Sequence, residues 1–376
     1  MAESKPKNQG TARKKPAAKK RPAAKKKPAA KKSQSRPRSA KKLTVAVTGP
    51  TGDIGRAVMR ALDDEPSVGK VIGMARSPFD PEEAGWKKAE YRQGDILDDD
   101  SVAALVGDAD VVVHLAFIIL GGREETREIN LEGSRKVFEA AVAAKVKRLV
   151  YTSSVAAYGF HEDNPQPLPE DAGPRGSESL YYSAQKAELE NTLAEILDGT
   201  KIDSYVFRPC IVAGPDALTL VEEVVQGYQL GGRLPIVQKA LEGLPFMAPV
   251  IPDPGVPFQL VHHDDVAQAL VAAIAGKGKP GVYNLAGDGE MRARELASEL
   301  GWWSVPLPQA AIAPVAEALG RLPGLPAQVH WINALRTPVL MDTSAARKDL
   351  GWEPAHDASA TLREMVRVAR REGIIG

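Results

Sequence analysis

Val45-Ala46-Val47-Thr48-Gly49-Pro50-Thr51-Gly52-Asp53-Ile54-Gly55 is the stretch whose reading decides the fold. The apolar run of Leu43, Val45 and Val47 reads as a buried strand. Ile54, Val58, Met59 and Leu62 then recur with helical spacing. Between strand and helix stand three glycines spaced three apart, Gly49, Gly52 and Gly55. That order is the context a dinucleotide fingerprint needs. The first glycine permits the tight turn, the second lets backbone approach a pyrophosphate, and the third lets helix and strand pack closely. Thr51, Asp53 and Ile54 complete the loop, whose free N–H groups and helix dipole favour an anion. In isolation such a loop is as well read as an ordinary turn. Two later motifs change that.

The chain has 376 residues, enough for one large α/β domain or two smaller ones, and its hydrophobic content of 43% is ample for a core. The net charge of +1 averages two unlike segments. Residues 1–42 hold 17 of the 49 Lys/Arg and one of the 48 Asp/Glu, a net of +16; the remaining 32 basic and 47 acidic residues give −15. The single cysteine, Cys210, excludes an internal disulfide framework and points to a reducing compartment. No apolar stretch reaches the roughly 18 residues of a membrane span, and no apolar segment follows the basic N-terminus as in a secretory signal. A cytoplasmic location is expected.

Residues 14–32 repeat a short Lys-Lys-Pro-Ala-Ala unit. Proline every six residues breaks helices and like charges repel, so 1–42 is expected to be a disordered tail. It resembles the tails of linker histones and some bacterial nucleoid proteins. Two readings stay open: salt-dependent, sequence-blind contact with nucleic acid or another polyanion, or a solvated arm that aids solubility or touches the acidic body. No aromatic residues interleave for base stacking.

From Leu43 onward strand and helix signals alternate. Strands are expected at Val68–Ala75, Ala89–Gln93, Asp110–Ala116, Lys147–Tyr151 and Ile202–Phe207, with helices near 102–106, 124–144 and 179–197. The expected fold is α/β, a Rossmann-like doubly wound parallel sheet, over residues 43–213. Residues 214–376 are expected to form a smaller substrate-binding region interleaved with the last Rossmann elements, including a sheet strand at Pro257–Val261 and helices at 264–275 and 291–300. The Pro- and Gly-rich segment 159–178 is long enough for a functional cover.

Tyr182-Ser183-Ala184-Gln185-Lys186 places a phenol and an ammonium four apart on one helix face. A free tyrosine has a pKa of about 10, so a base near neutrality needs roughly 4 kcal/mol of differential stabilisation. A nearby Lys⁺ and a positive nicotinamide ring have the correct sign. Ser154 stands just past a strand end, where open α/β sheets place their sites, and its hydroxyl could bind the substrate oxygen while Tyr182 moves the proton. A lone Tyr-x-x-x-Lys is common on helix surfaces; the glycine turn, the serine and the pair together are not.

With these residues in hand, 43–372 resembles the extended short-chain dehydrogenase/reductase superfamily, in particular its NAD-dependent epimerase/dehydratase branch. The resemblance implies catalytic Ser154, Tyr182 and Lys186, with Asn130 as the helix asparagine near the active site. It implies a cofactor loop at Gly49, Thr51, Gly52, Asp53, Ile54 and Gly55, and an adenine-contacting turn at Gly94-Asp95-Ile96. His114-Leu115-Ala116 would lie along the cofactor ribose, Arg208-Pro209 would follow the sixth strand, and Tyr182 and Lys186 would also touch cofactor. The implied activity is hydride transfer between nicotinamide and a carbonyl or alcohol, with nucleotide-sugar epimerase or dehydratase as an alternative. A non-catalytic NAD(P)-binding regulator tethered to nucleic acid by the tail is the other class considered. Where nucleotide-sugar members carry an asparagine and an Arg-Asp pair, this chain has Ile211, Phe258 and Gln259. With Leu234, Pro235, Ile236, Leu244, Phe246, Met247 and Pro249 nearby, a fairly apolar small-molecule substrate is expected, though Arg233 could replace a lost phosphate contact. Ala75-Arg76 replaces the acid that binds an NAD ribose, which favours NADP slightly over NAD. No metal is expected despite His262 and His263, Asp264 is read as a helix N-cap, and Trp302 and Trp303 as core or pocket wall. A homodimer through helices 124–144 and 179–197 is expected by analogy.

Removing residues 1–42 is expected to leave cofactor binding intact and to abolish any duplex-DNA binding. Fluorescence anisotropy across a salt titration reads both outcomes.

Overall fold

Pro50, Gly52 and Gly55 work because of what lies on either side of them. A computed structural model describes residues 41–119, 123–178, 180–231, 249–308 and 337–375, with the single positions 17 and 310. The tail expected over 1–42 therefore lies almost wholly outside the described residues, as do Arg233, Leu234, Pro235, Ile236, Leu244, Phe246 and Met247.

The chain runs β1 (Leu43–Thr48), α1 (Asp53–Asp64), β2 (Val68–Ala75), β3 (Ala89–Gln93), α2 (Asp99–Val106) and β4 (Val111–His114). A helix follows in three parts: α3 (Arg123–Arg127), a π-helical turn (Glu128–Gly133) and α4 (Ser134–Ala143). Then come β5 (Arg148–Thr152), α5 (Tyr181–Leu197), β6 (Asp203–Pro209), β7 (Ile211–Ala213), α6 (Thr219–Gly231), β8 (Val250–Asp253) and β9 (Leu260–His262). The last elements are α7 (His263–Ile274), β10 (Gly281–Leu285), α8 (Ala293–Leu300), β11 (Trp303–Pro306) and α9 (Ala358–Arg371).

Seven strands form one sheet in the order β10-β6-β5-β4-β1-β2-β3, and every pairing in it is parallel. This is the α/β, Rossmann-like fold that the alternating pattern implies. Both faces of its inner strands are covered, which is why β1, β4 and β5 read as largely apolar runs. Val45, Val47, Val111, Val113 and Val150 pack on one side with Val58, Met59 and Leu62 of α1 and Val266, Leu270 and Ile274 of α7. Ala46, Val112, Leu149 and Tyr151 pack on the other with Leu105, Phe138, Leu189 and Leu193. Strand order reverses between β1 and β4, so the crevice that opens there is bordered by the glycine turn.

Several expectations need correction. The strand expected at Pro257–Val261 does not resume the main sheet: β9 pairs with β7 in a separate two-stranded ladder, Ile211 opposite Leu260. The main ladder stops where Pro209 supplies no N–H, and Cys210 N–H already donates to the Leu285 carbonyl at 2.9 Å. The long helix expected over 124–144 contains the π turn, within which Gly133 lies so close to Ile96 that an added Cβ would stand 2.6 Å from its side chain. The N-cap of α7 is His262, whose Nδ1 accepts the Asp264 N–H at 3.2 Å, so Asp264 belongs to the first turn. Trp302 packs against the third core cluster, but Trp303 is 54% exposed on β11. Segment 159–178 is tied down where a cover was expected: Leu168 N–H donates to the Leu340 carbonyl, and the Glu170 and Ala172 carbonyls accept from Arg208.

Candidate active site

At the end of β1 each glycine has a different reason to be glycine. Gly49 has φ +70°, and an added Cβ would stand 2.9 Å from the Ala116 nitrogen. At Gly55 a Cβ would fall 2.2 Å from the Gly49 carbonyl oxygen, so only glycine lets α1 sit this close to the turn. Gly52 is exposed, and a Cβ there meets nothing nearer than 3.7 Å. Open space over Gly52, at the start of a helix with no side-chain cap, fits the pyrophosphate of a dinucleotide. Thr51 and Ile54 flank it, half-buried. The Asp53 carboxylate accepts from the Thr219 hydroxyl at 2.8 Å, which ties the turn to α6.

The next wall of the crevice is built from buried polar groups. Thr48 Oγ1 accepts from the Leu115 and Ala116 N–H groups at 3.2 and 3.3 Å and meets His114 Nδ1 at 2.7 Å. His114 Nε2 meets the Ser134 hydroxyl at 2.8 Å. Burial, with Lys186 nearby, pushes His114 down to about 3, so the ring is a neutral strut. Leu115 and Ala116 thus lie against Gly49. Asp95 accepts from the Leu97 N–H at 3.0 Å and Ile96 is buried beside Gly133, which shapes the turn read as adenine-contacting. Arg76 is exposed just past β2, its carbonyl accepting from Gln93. Pro209 is buried at the end of β6.

Ser154, Tyr182 and Lys186 come together at the carboxyl end of β5. Ser154 begins a short 3₁₀ turn, Val155–Tyr158, and its hydroxyl accepts the Ala156 N–H at 3.2 Å while bonding to the Tyr182 phenol. Ser183, the next residue on α5, donates to the Ala156 carbonyl at 2.6 Å, locking helix to turn. Lys186 is 3% exposed; its Nζ donates to the Thr152 carbonyl at 3.0 Å and lies 3.7 Å from the Phe117 ring centroid.

Burial dominates the electrostatics of the pair. Burial pushes the Tyr182 phenol up, and the Ser154 hydrogen bond is what opposes it. Burial pushes Lys186 down to about 7, with Glu190 pulling the other way. The Lys186 Nζ lies between the Phe117 ring and the Thr152 carbonyl, one helical turn from Tyr182.

One turn further along α5 lies Glu190, a residue the sequence reading passed over. It is 7% exposed and is gripped by Arg208 through Nε at 2.9 Å and Nη2 at 2.6 Å, with the Ser153 hydroxyl donating at 2.5 Å. Arg208 also covers the Tyr158 ring at 4.3 Å. The signal was present as Lys186-x-x-x-Glu190, the same four-residue spacing that joins Tyr182 to Lys186. Asn130, expected among the catalytic residues, is braced against protein: its Oδ1 accepts from Ile118 N–H at 2.8 Å, and its Nδ2 donates to the Ile118 carbonyl and to Gln185 Oε1. Its amide clips the Ile118 backbone to Gln185.

His262, His263 and Asp264, and His262, His356 and Glu364, bring potential ligand atoms within 4.8 Å of one another. Backbone N–H groups of Asp264 and Asp216 point at His262 Nδ1 and His263 Nε2, which places each ring proton on the other nitrogen. Those nitrogens lie 3.4 Å from Glu364 and 3.0 Å from Asp264 without a hydrogen bond of good geometry.

A seven-stranded parallel sheet with a glycine turn at its switch point is a Rossmann-like, dinucleotide-binding architecture. The chain belongs to the NAD dependent epimerase/dehydratase family, whose model matches residues 45–286. An uncharacterized protein of Sinorhizobium fredii is 28% identical over 332 residues, covering 85% of this chain and 77% of its own length. Human 3 beta-hydroxysteroid dehydrogenase type 7 is 31% identical over 215 residues, 52% of this chain and 57% of that one. The chain spans 30% of the length of an uncharacterized Mycobacterium tuberculosis protein to which it is 25% identical. The UDP-glucose 4-epimerase of Thermotoga maritima, solved with UDP-glucose, shares the fold with a TM-score of 0.64 at 20% identity, over 88% of this chain and 99% of that one.

Alanine at the two loop glycines is expected to separate packing from binding. Gly55→Ala should lower the thermal midpoint, at a cost of about 1–3 kcal/mol. Gly52→Ala should leave the midpoint nearly unchanged and weaken NAD(P) binding, read by calorimetry. Glu190→Ala strands a buried guanidinium and is expected to cost about 3–5 kcal/mol in urea unfolding.

Proposed function

We propose that this protein is an NAD(P)-dependent oxidoreductase or epimerase that moves hydride between nicotinamide and a carbonyl or alcohol carbon, with Tyr182 as the general acid/base. The observation that carries this reading is the Ser154–Tyr182 hydrogen bond at the carboxyl end of β5, one helical turn from the buried Lys186. A bound nicotinamide supplies the hydride donor or acceptor. Ser154 orients the substrate oxygen. Tyr182, kept protonated by burial, donates its proton to that oxygen in the direction of carbonyl reduction. In the reverse direction Tyr182 must first be a phenolate to take the proton of the alcohol, a state that nearby positive charge favours. An epimerase would run both halves in sequence on opposite faces of one substrate.

Two features support a fairly apolar substrate. Gln259 spends its amide on Met341, accepting from the Met341 N–H at 2.8 Å, and Phe258 packs into the third core cluster. Neither presents a charge where an arginine would hold substrate phosphate. The name of the human relative, a hydroxysteroid dehydrogenase, is in keeping with this. Nucleotide-sugar epimerase chemistry is the second reading, prompted by the UDP-glucose of the Thermotoga neighbour. Exposed Arg76, with no acid at the end of β2, supports NADP at the adenine ribose, while the family's description names NAD. The net charge of +16 over residues 1–42 supports contact with a polyanion, separate from the chemistry.

Tyr182→Phe is expected to lower turnover by about 10²–10⁴-fold while retaining NAD(P) binding. The assay follows cofactor absorbance against sterol-like alcohols, small ketones and nucleotide sugars. Unchanged turnover in the variant would remove the phenol from the reaction.

A further inference from the structure

Lys186 is an amine in a nearly dry place. It lies on α5 with Tyr182 and Glu190, against β5 through the Thr152 carbonyl at 3.0 Å and the Tyr151 ring at 5.2 Å. From β4 comes neutral His114. Glu190 is the anion on this list, and its oxygens are already gripped by Arg208 and Ser153. Left at that, the surroundings favour the neutral amine.

Among the described residues the other neighbour is Phe117, in the segment after β4. Its ring centroid lies 3.7 Å from Lys186 Nζ and 5.5 Å from the Tyr182 ring, which it meets edge-on at 90°. The position is enforced. Asn130 clamps both the N–H and the carbonyl of Ile118, next to Phe117, and reaches with the same amide to Gln185, next to Lys186. One side chain in the π turn therefore sets the spacing between ring and amine.

We propose that Phe117 is a positioning residue of this site: its π face, held by the Asn130 clip, seats the Lys186 ammonium and keeps it charged beside Tyr182. The inference rests on the reading of Tyr182 and Lys186 as the reacting pair, and it deepens that reading. An aromatic face attracts a cation and not a neutral amine, and the attraction grows when water is excluded. The ring thus works against the burial that pushes Lys186 down to about 7. It also leaves the Nζ protons free of a competing carboxylate, available to ribose hydroxyls.

The test is a direct titration of Lys186 in the full chain without substrate. ¹³C-lysine-labelled protein gives a buried Cε resonance, assigned by its loss in Lys186→Met, whose midpoint is followed through neutral pH. Phe117→Leu keeps bulk and removes the π face; its midpoint is expected to fall by about one unit. Phe117→Tyr keeps the face and should titrate near the parent. Phe117→Met serves in place of leucine should the latter fail to fold. A midpoint that stays put in the aliphatic variant, or one that falls equally in the tyrosine variant, overturns the proposal. Failure of the parent to bind NAD⁺ or NADP⁺ would instead count against the functional reading and leave this titration standing.

Discussion

Burying the amine of Lys186 is the constraint around which this site is arranged. A charge taken out of water is costly unless partners replace its hydration. Here the replacements come from three elements: a carbonyl of β5, a ring from the segment after β4, and a carboxylate one turn along its own helix. The carboxylate needs partners in turn, and Arg208 and Ser153 supply them. Arg208 then draws in the carbonyls of Glu170 and Ala172 and the ring of Tyr158. Tyr158 closes the chain by donating to Asn284 at 2.8 Å. A single buried cation on α5 is thus coupled, contact by contact, to the edge strand β10.

The glycine turn solves a different problem on the neighbouring side of the crevice. There the demand is for absence of side chain. Gly49 and Gly55 make room for protein, whereas Gly52 leaves room for something that is not protein. Thr48 and His114 meet behind the turn and fix Leu115 and Ala116 against it. A crevice with an anion-accepting helix start on one wall and a phenol and an amine on the other has the layout for holding a dinucleotide beside a proton donor.

Much of this was legible in the chain. The strands at Val68–Ala75 and Val111–His114 read directly from apolar runs, because a doubly covered strand has no polar face to confuse the pattern. Tyr182 and Lys186 share a face of α5, as their four-residue spacing requires, and Ser154 stands just past β5, as its place after the strand implied. What escaped was whatever depended on distant partners. Whether Pro257–Val261 joins the main sheet is decided by β7, not by its own composition. The partners that Asn130 holds, Ile118 and Gln185, are likewise invisible from its own position in the chain. Sequence places Lys186 one turn away but cannot show that its Nζ turns toward Phe117.

The central claim is that a phenol held protonated by burial becomes a working proton donor and acceptor once positive charge arrives beside it. It is tested most directly by the tyrosinate difference spectrum of the parent against Tyr182→Phe, titrated with and without NAD⁺ or NADP⁺. The account expects a Tyr182 midpoint above the ordinary tyrosine value of about 10 in the free protein, falling when oxidised cofactor binds. A phenol that ionises near neutral pH without cofactor, or whose midpoint is indifferent to it, would contradict the account.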